Sequence, residues 1–112
     1  MSDLSQGIIK AHGQGLQVFS EEKESEYIKQ VNNWTLDHTQ PTHKITKTFQ
    51  FQSFPEAISF VNKIADLAQK ENHHPNILIY FKKVTLEFTT NHLQGLTEND
   101  FIMAAKVDEI QI

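Results

Sequence analysis

Residues 71 to 76 read "ENHHPN", and the adjacent pair His73 and His74 is the part of this chain best suited to chemistry. An imidazole titrates at about 6.5 in model peptides, so two of them can give and take protons close to neutrality. Pro75 fixes its own φ and pushes His74 toward extended geometry, which aims the two rings into one space from different angles. The pair also falls where a long helix ends and a strand begins, the kind of junction at which functional side chains gather. Spacing alone leaves two readings open, an ordinary solvated helix end or an acid–base site. Zinc at this pair is disfavoured, because metal-binding histidines usually stand one helical turn apart with a third ligand nearby. No serine stands in a nucleophile-elbow motif. The chain has six histidines, at positions 12, 38, 43, 73, 74 and 92, and those in or near loops read as ordinary surface residues.

The elements that would position the pair follow from apolar periodicity and punctuation. "SEEKESEYIKQVNN" reads as a short helix capped by Ser20, with Tyr27, Ile28 and Val31 in one stripe. Trp34 to Leu36 can pair with a strand at Lys44 to Phe51, in which Ile45, Phe49 and Phe51 share a face. The clearest helix spans Phe54 to Glu71. Ser53 and Glu56 form a capping box, Pro55 sits in the first turn, and Ala57, Ile58, Val61, Ile64, Ala65 and Ala68 make the apolar face. "ILIYF" and "VTLEFTT" are strand-like, and Thr97 with Asp100 signals a capping box for a closing helix. Helix, two strands, helix, two strands, helix predicts an α+β fold: two layers, a four-stranded antiparallel sheet with helices packed on one face. Residues 1–19 read as a partly extended lead-in and residues 20–112 as one domain. No proline guards the strand edges, which makes sheet-edge pairing in a homo-oligomer plausible.

Composition excludes several classes. Ten basic residues face fourteen acidic ones, for a net charge of −4. Arginine is absent and no basic run exceeds Lys82-Lys83, so direct nucleic-acid binding is not expected. No purely apolar run exceeds the length of "ILIYF", far short of the roughly 20 residues of a membrane span. The N-terminus lacks the basic start and apolar stretch of a secretory signal. With no cysteine, neither disulfides nor thiolate chemistry is available, and a cytoplasmic globular protein is the expectation.

The array from Trp34 to the C-terminus resembles the pterin-4a-carbinolamine dehydratases. The resemblance is carried by Trp34, "FQFQSFPEAISFVNKIADLA", "NHHP", "KVTLEFTT" and "GLTENDFIMAAKVDEI". It implies dehydration of a 4a-hydroxytetrahydropterin to quinonoid dihydropterin by histidine acid–base catalysis, downstream of an aromatic amino-acid hydroxylase. The pterin would be the substrate, with no metal or organic cofactor. By similarity His73 would be an acid–base group, while His74 would bind the pterin and assist proton transfer. Asn72, Thr89, Thr90, Asn91 and His92 would line the site, and Trp34 would offer an aromatic wall or anchor the core. Gln69, Pro75 and Asp100 would support it, and a homodimer or homotetramer is implied. Three positions depart from the family pattern. Gln69 stands where the family usually carries a charge, and Phe81 stands where it usually has tyrosine or tryptophan. Asn91 falls on the third histidine. Adjacent residues of an extended strand face opposite ways, so His92 would need a bulge to take that place. Asn91 therefore implies weakened activity or, alternatively, a non-catalytic pterin-binding or protein-dimerisation and coactivator module. Action on another pterin is a third possibility.

Overall fold

A computed structural model describes residues 4–11 and 14–110; His12 and residues 111–112 lie outside the described residues. The elements are α1 (Glu21–Ile28), β1 (Thr35–Asp37), β2 (Lys44–Gln50), α2 (Phe54–Glu71), β3 (Asn76–Tyr80), β4 (Lys83–Phe88) and α3 (Glu98–Asp108), with short 3-10 turns at Leu4–Gln6 and Asn91–Leu93. The strands form one antiparallel sheet in the order β1-β2-β4-β3. This is the α+β, four-stranded architecture the patterning predicted.

Strand parity sorts the faces. Ile45, Val84, Leu86 and Phe88 are wholly buried against Ala57, Phe60 and Ile64 of α2 and Phe101 and Ala104 of α3. The opposite face is polar, with Thr48 and Thr85 hydroxyls 2.8 Å apart across the β2–β4 ladder. Lys47 shares the inward parity of Ile45 and Phe49, and its ammonium meets Asp108 of α3 at 2.8 Å. That ion pair lies at the rim of the core, between Ile45 and Phe49 on the inward face.

The α2 bounds match the sequence reading, but its buried line differs. Ala57, Phe60, Ile64 and Ala68 are buried, Ile58 and Val61 are half-buried, and Ala65 is exposed. Phe60 draws the stripe to its own side because its ring packs on Phe49 and Phe51, with centroids 4.7 and 5.1 Å away. The capping box is also altered. Ser53 accepts from the Glu56 N–H at 3.2 Å, but the Glu56 carboxylate accepts from the Gln52 N–H at 3.0 Å rather than from the cap residue. Helix α1 ends sooner than its stripe suggested, and Val31 is buried from the turn that follows.

Buried side chains run almost all round α3, because the N-terminal segment covers its outer side. Leu4 and Ile9 pack against the core, and Gly7 lies so close to Ile102 that a Cβ there would come within 2.8 Å of its Cδ1. Asn99 clamps the segment's backbone, accepting from the Lys10 N–H and donating to the Lys10 carbonyl, both at 3.0 Å. Phe19 follows, its N–H donating to the Leu96 carbonyl at 2.7 Å.

Candidate functional site

Helix α2 sets the position of the histidine pair through the way it stops. Asn72 adopts the left-handed conformation (φ 56°, ψ 41°), as a helix C-terminal Asn or Gly often does. The His73 N–H then donates to the Ala68 carbonyl at 3.2 Å, which pins the chain before Pro75 leads it into β3. The His73 ring is mostly buried and lies nearly parallel to Phe88 of β4, with 7° between planes and centroids 6.1 Å apart.

His73 Nε2 reaches Asp100 Oδ1 at 2.7 Å, and Asp100 is wholly buried. A carboxylate only accepts, so Nε2 carries the proton and Nδ1 is left with the lone pair. The other oxygen, Asp100 Oδ2, accepts from the Thr97 N–H and the Thr90 hydroxyl, both at 2.9 Å. Because Thr90 spends its proton on Asp100, Thr97 must donate to Thr90 across their 2.8 Å hydroxyl contact. Asp100 thus closes the α3 capping box and orients His73 with the same carboxylate. His74 is exposed, and its Nε2 lies 3.2 Å from Gln69 Oε1 one turn back on α2.

Opposite the pair, β4 ends at Phe88, two residues earlier than the "VTLEFTT" pattern suggested. Thr90 bridges to Gly95, and the loop between them winds into the 3-10 turn, closed by Gln94 at φ 57°. This corrects the expectation for residues 91 and 92, which rested on extended backbone. In the turn, both Asn91 and His92 border the hollow that His73 and His74 enter. That hollow has a volume of about 260 Å³ and is completed by Asn72, Thr89 and Thr90. It falls a little below the usual range of ligand pockets, roughly 300–1,000 Å³. A second hollow of about 210 Å³ adjoins it, sharing Asn72, His73 and His92 and walled by Ile9, Lys10 and Asn99.

Trp34 does not line either hollow. It is buried, its indole N–H donates to the Asp108 carboxylate at 3.1 Å, and its ring contacts Phe88 with centroids 5.8 Å apart. The geometry makes it a core anchor that backs Phe88, which in turn backs His73. Phe81 occupies the β3–β4 turn at φ 53° and is strongly exposed. The sequence reading missed the contribution of Ile9, Lys10 and Asn99. No spacing signal links Lys10 to Asn99, since the clamp joins residues 89 positions apart.

The profile of the pterin 4 alpha carbinolamine dehydratase family matches residues 17–110. The chain belongs to that family. The family match extends upstream of Trp34 through α1. A Marinobacter nauticus protein provisionally named pterin-4-alpha-carbinolamine dehydratase is 36% identical, with 98% of this chain and 99% of that protein aligned. The Arabidopsis thaliana protein "Pterin-4-alpha-carbinolamine dehydratase 2, mitochondrial" is 32% identical over the whole chain, which spans only 61% of its length. Among solved structures, a Brucella melitensis transcriptional coactivator/pterin dehydratase superposes with a TM-score of 0.75 at 27% identity, covering 82% of this chain and 96% of that one. None of the helices among the described residues is long and apolar enough to cross a membrane.

Proposed function

We propose that this protein dehydrates a 4a-hydroxytetrahydropterin, such as 4a-hydroxytetrahydrobiopterin, to the quinonoid dihydropterin. The observation that carries this reading is the His73–Asp100 pair set at the edge of a hollow shared with His74, Asn91 and His92. The reaction removes the N5 proton, breaks the C4a–O bond and forms the C4a=N5 double bond as water departs. It therefore needs a base at N5 and an acid at the hydroxyl. His73 suits one of these tasks. Asp100 fixes its tautomer, leaves Nδ1 able to accept, and compensates the positive charge when the ring is protonated. His74, exposed and steadied by Gln69, suits pterin binding and the second proton movement. Imidazoles suffice for both steps, so the pterin is substrate and no cofactor enters the chemistry. The family's third imidazole is replaced at Asn91, and His92, on the same 3-10 turn, is the group that can take over its part.

The test is to mix the protein with freshly generated 4a-carbinolamine and follow ultraviolet absorbance from pH 6 to 8. Acceleration over buffer that is lost in His73→Ala supports the reading, and a rate equal to buffer removes it. Physiologically, a cytoplasmic enzyme serving an aromatic amino-acid hydroxylase would meet this substrate. Open sheet edges at β1 and β3, with exposed Phe54, Ile79, Tyr80 and Phe81, favour a homodimer or homotetramer.

Asn91 favours a second reading, a pterin-binding or coactivator module without catalysis, and the Brucella relative is described as a transcriptional coactivator as well as a pterin dehydratase. A parent that is nearly silent and gains a large rate on Asn91→His would identify the module; a competent parent identifies the enzyme.

A further inference from the structure

A second group of histidines stands apart from the hollow. Glu24 lies on α1 and is 1% exposed, yet its carboxylate is not left without partners. Oε1 meets His38 Nε2 at 2.8 Å and Oε2 meets His43 Nδ1 at 3.0 Å. The two rings stack on each other with centroids 3.9 Å apart and 23° between planes. His38 directly follows β1 and His43 directly precedes β2, so the connecting loop brings both to the start of α1. One turn before Glu24, Glu21 presents its carboxylate to the same place, and one ligand atom from each of Glu21, His38 and His43 falls within 4.8 Å of the others.

We propose that Glu21, His38 and His43 form a binding site for a divalent transition-metal cation of the zinc type, with Glu24 as the buried group that orients both imidazoles. Each histidine donates one ring N–H to Glu24 in a hydrogen bond, and the other nitrogen then carries a lone pair. That is the carboxylate–histidine arrangement by which proteins fix the tautomer of a metal-ligating imidazole. Two imidazoles and one carboxylate are a borderline donor set, suited to zinc and its neighbours rather than to magnesium or calcium. At bond lengths of about 2.0–2.1 Å, tetrahedral ligands sit about 3.4 Å apart, so the trio must contract slightly. Glu21 is exposed and can supply that movement, and a fourth position is left for water. The side chains of His38 and His43 are 38% and 25% exposed, which gives the cation a way in.

A cation there would tie α1 to the β1–β2 loop. It would act as a clasp rather than in the dehydration. The Thr89 hydroxyl, which donates to the His43 carbonyl at 2.7 Å, joins the clasp to the other site.

The experiment uses the full chain, stripped with a chelator and titrated with Zn²⁺ by calorimetry and with Co²⁺ by visible absorption. One equivalent of zinc, an intense low-symmetry cobalt spectrum, and a rise in melting midpoint of at least about 3 °C at saturating zinc are expected. His38→Ala with His43→Ala should weaken binding by about 100-fold or more, and Glu21→Gln and Glu24→Gln by roughly 10–100-fold. Glu24→Gln alters a buried group, so the exposed Glu21→Gln carries the test if that variant does not fold. Binding must persist in His73→Ala/His74→Ala. No zinc binding up to 1 mM, or equal binding in the His38→Ala/His43→Ala protein, overturns the proposal.

Discussion

His73 and Asp100 are 27 positions apart in sequence and 2.7 Å apart in space. Because Asp100 also accepts from the Thr97 N–H, the start of α3 and the orientation of His73 depend on one carboxylate.

Asp100→Asn separates those two tasks. The amide oxygen can keep the contacts to Thr97 and Thr90, while the amide nitrogen must face His73 and force the opposite tautomer. Dehydration should fall by at least about 10²-fold, the scale of a lost acid–base group, with a much smaller change in melting midpoint. Steady-state rates alongside thermal unfolding check this; equal damage to both would mean that Asp100 serves only the fold.

Two variants read the Asn91–His92 turn. His92→Ala should lower the dehydration rate by roughly 10²-fold if that imidazole has taken over the third role. Asn91→His should then change the rate little in the parent but restore the His92→Ala protein. Retention of full activity in His92→Ala assigns proton transfer to His73 and His74 alone.

Tyr27 gives the fold a pH signature. Burial first, and then the hydrogen bond and charge of Glu98, raise its phenol above the usual 10.0. The folded chain therefore holds that proton more tightly than the unfolded chain. The associated stability is complete below pH 10 and is lost as pH rises through the raised value. Tyr27→Phe removes the 3.0 Å bond to Glu98 and should cost about 1 kcal/mol near pH 8. Melting midpoints from pH 8 to 11 should show the gap between the two proteins closing as pH rises. A constant gap would mean that the phenol proton is not involved.

Phe81 is a bulky residue in the left-handed region and is 68% exposed. That conformation costs a side chain with a Cβ roughly 1–2 kcal/mol, less for asparagine. In a monomer Phe81→Asn should raise stability by about 0.5–1 kcal/mol. In an oligomer that covers this turn it should instead lower the midpoint and make it depend on protein concentration, which light scattering at several concentrations would register.

Most of the frame could be read from local signals. Ser53, Pro55 and the i+3/i+4 spacing sufficed for the bounds of α2, and strict alternation sufficed for the presence and facing of β4, though not for its end at Phe88. The site's inner supports could not be read this way. Thr97 and Asp100 announce a capping box, but nothing in that spacing says that the carboxylate has a second oxygen for His73. Glu24 sits among "EEKESE", where every residue looks like part of a solvated acidic face, and only the folded loop brings His38 and His43 onto it. The turn at Asn91–Leu93 was hidden because Gln94, not a glycine, adopts the positive φ that closes it. Trp34 had two readings of equal merit, and the Asp108 contact decides for the core.

Ile9 and Lys10 wall one side of the space beside His73, yet they belong to no strand and cap no helix. Asn99 grips main-chain atoms of Lys10, so the Lys10 side chain can be exchanged without breaking the clamp, whereas Ile9 beside it is tied to the core by packing. If the proposed dehydration holds, the Lys10 side chain is a place where preference among pterins with different ring substituents could change while His73 and Asp100 stay as they are.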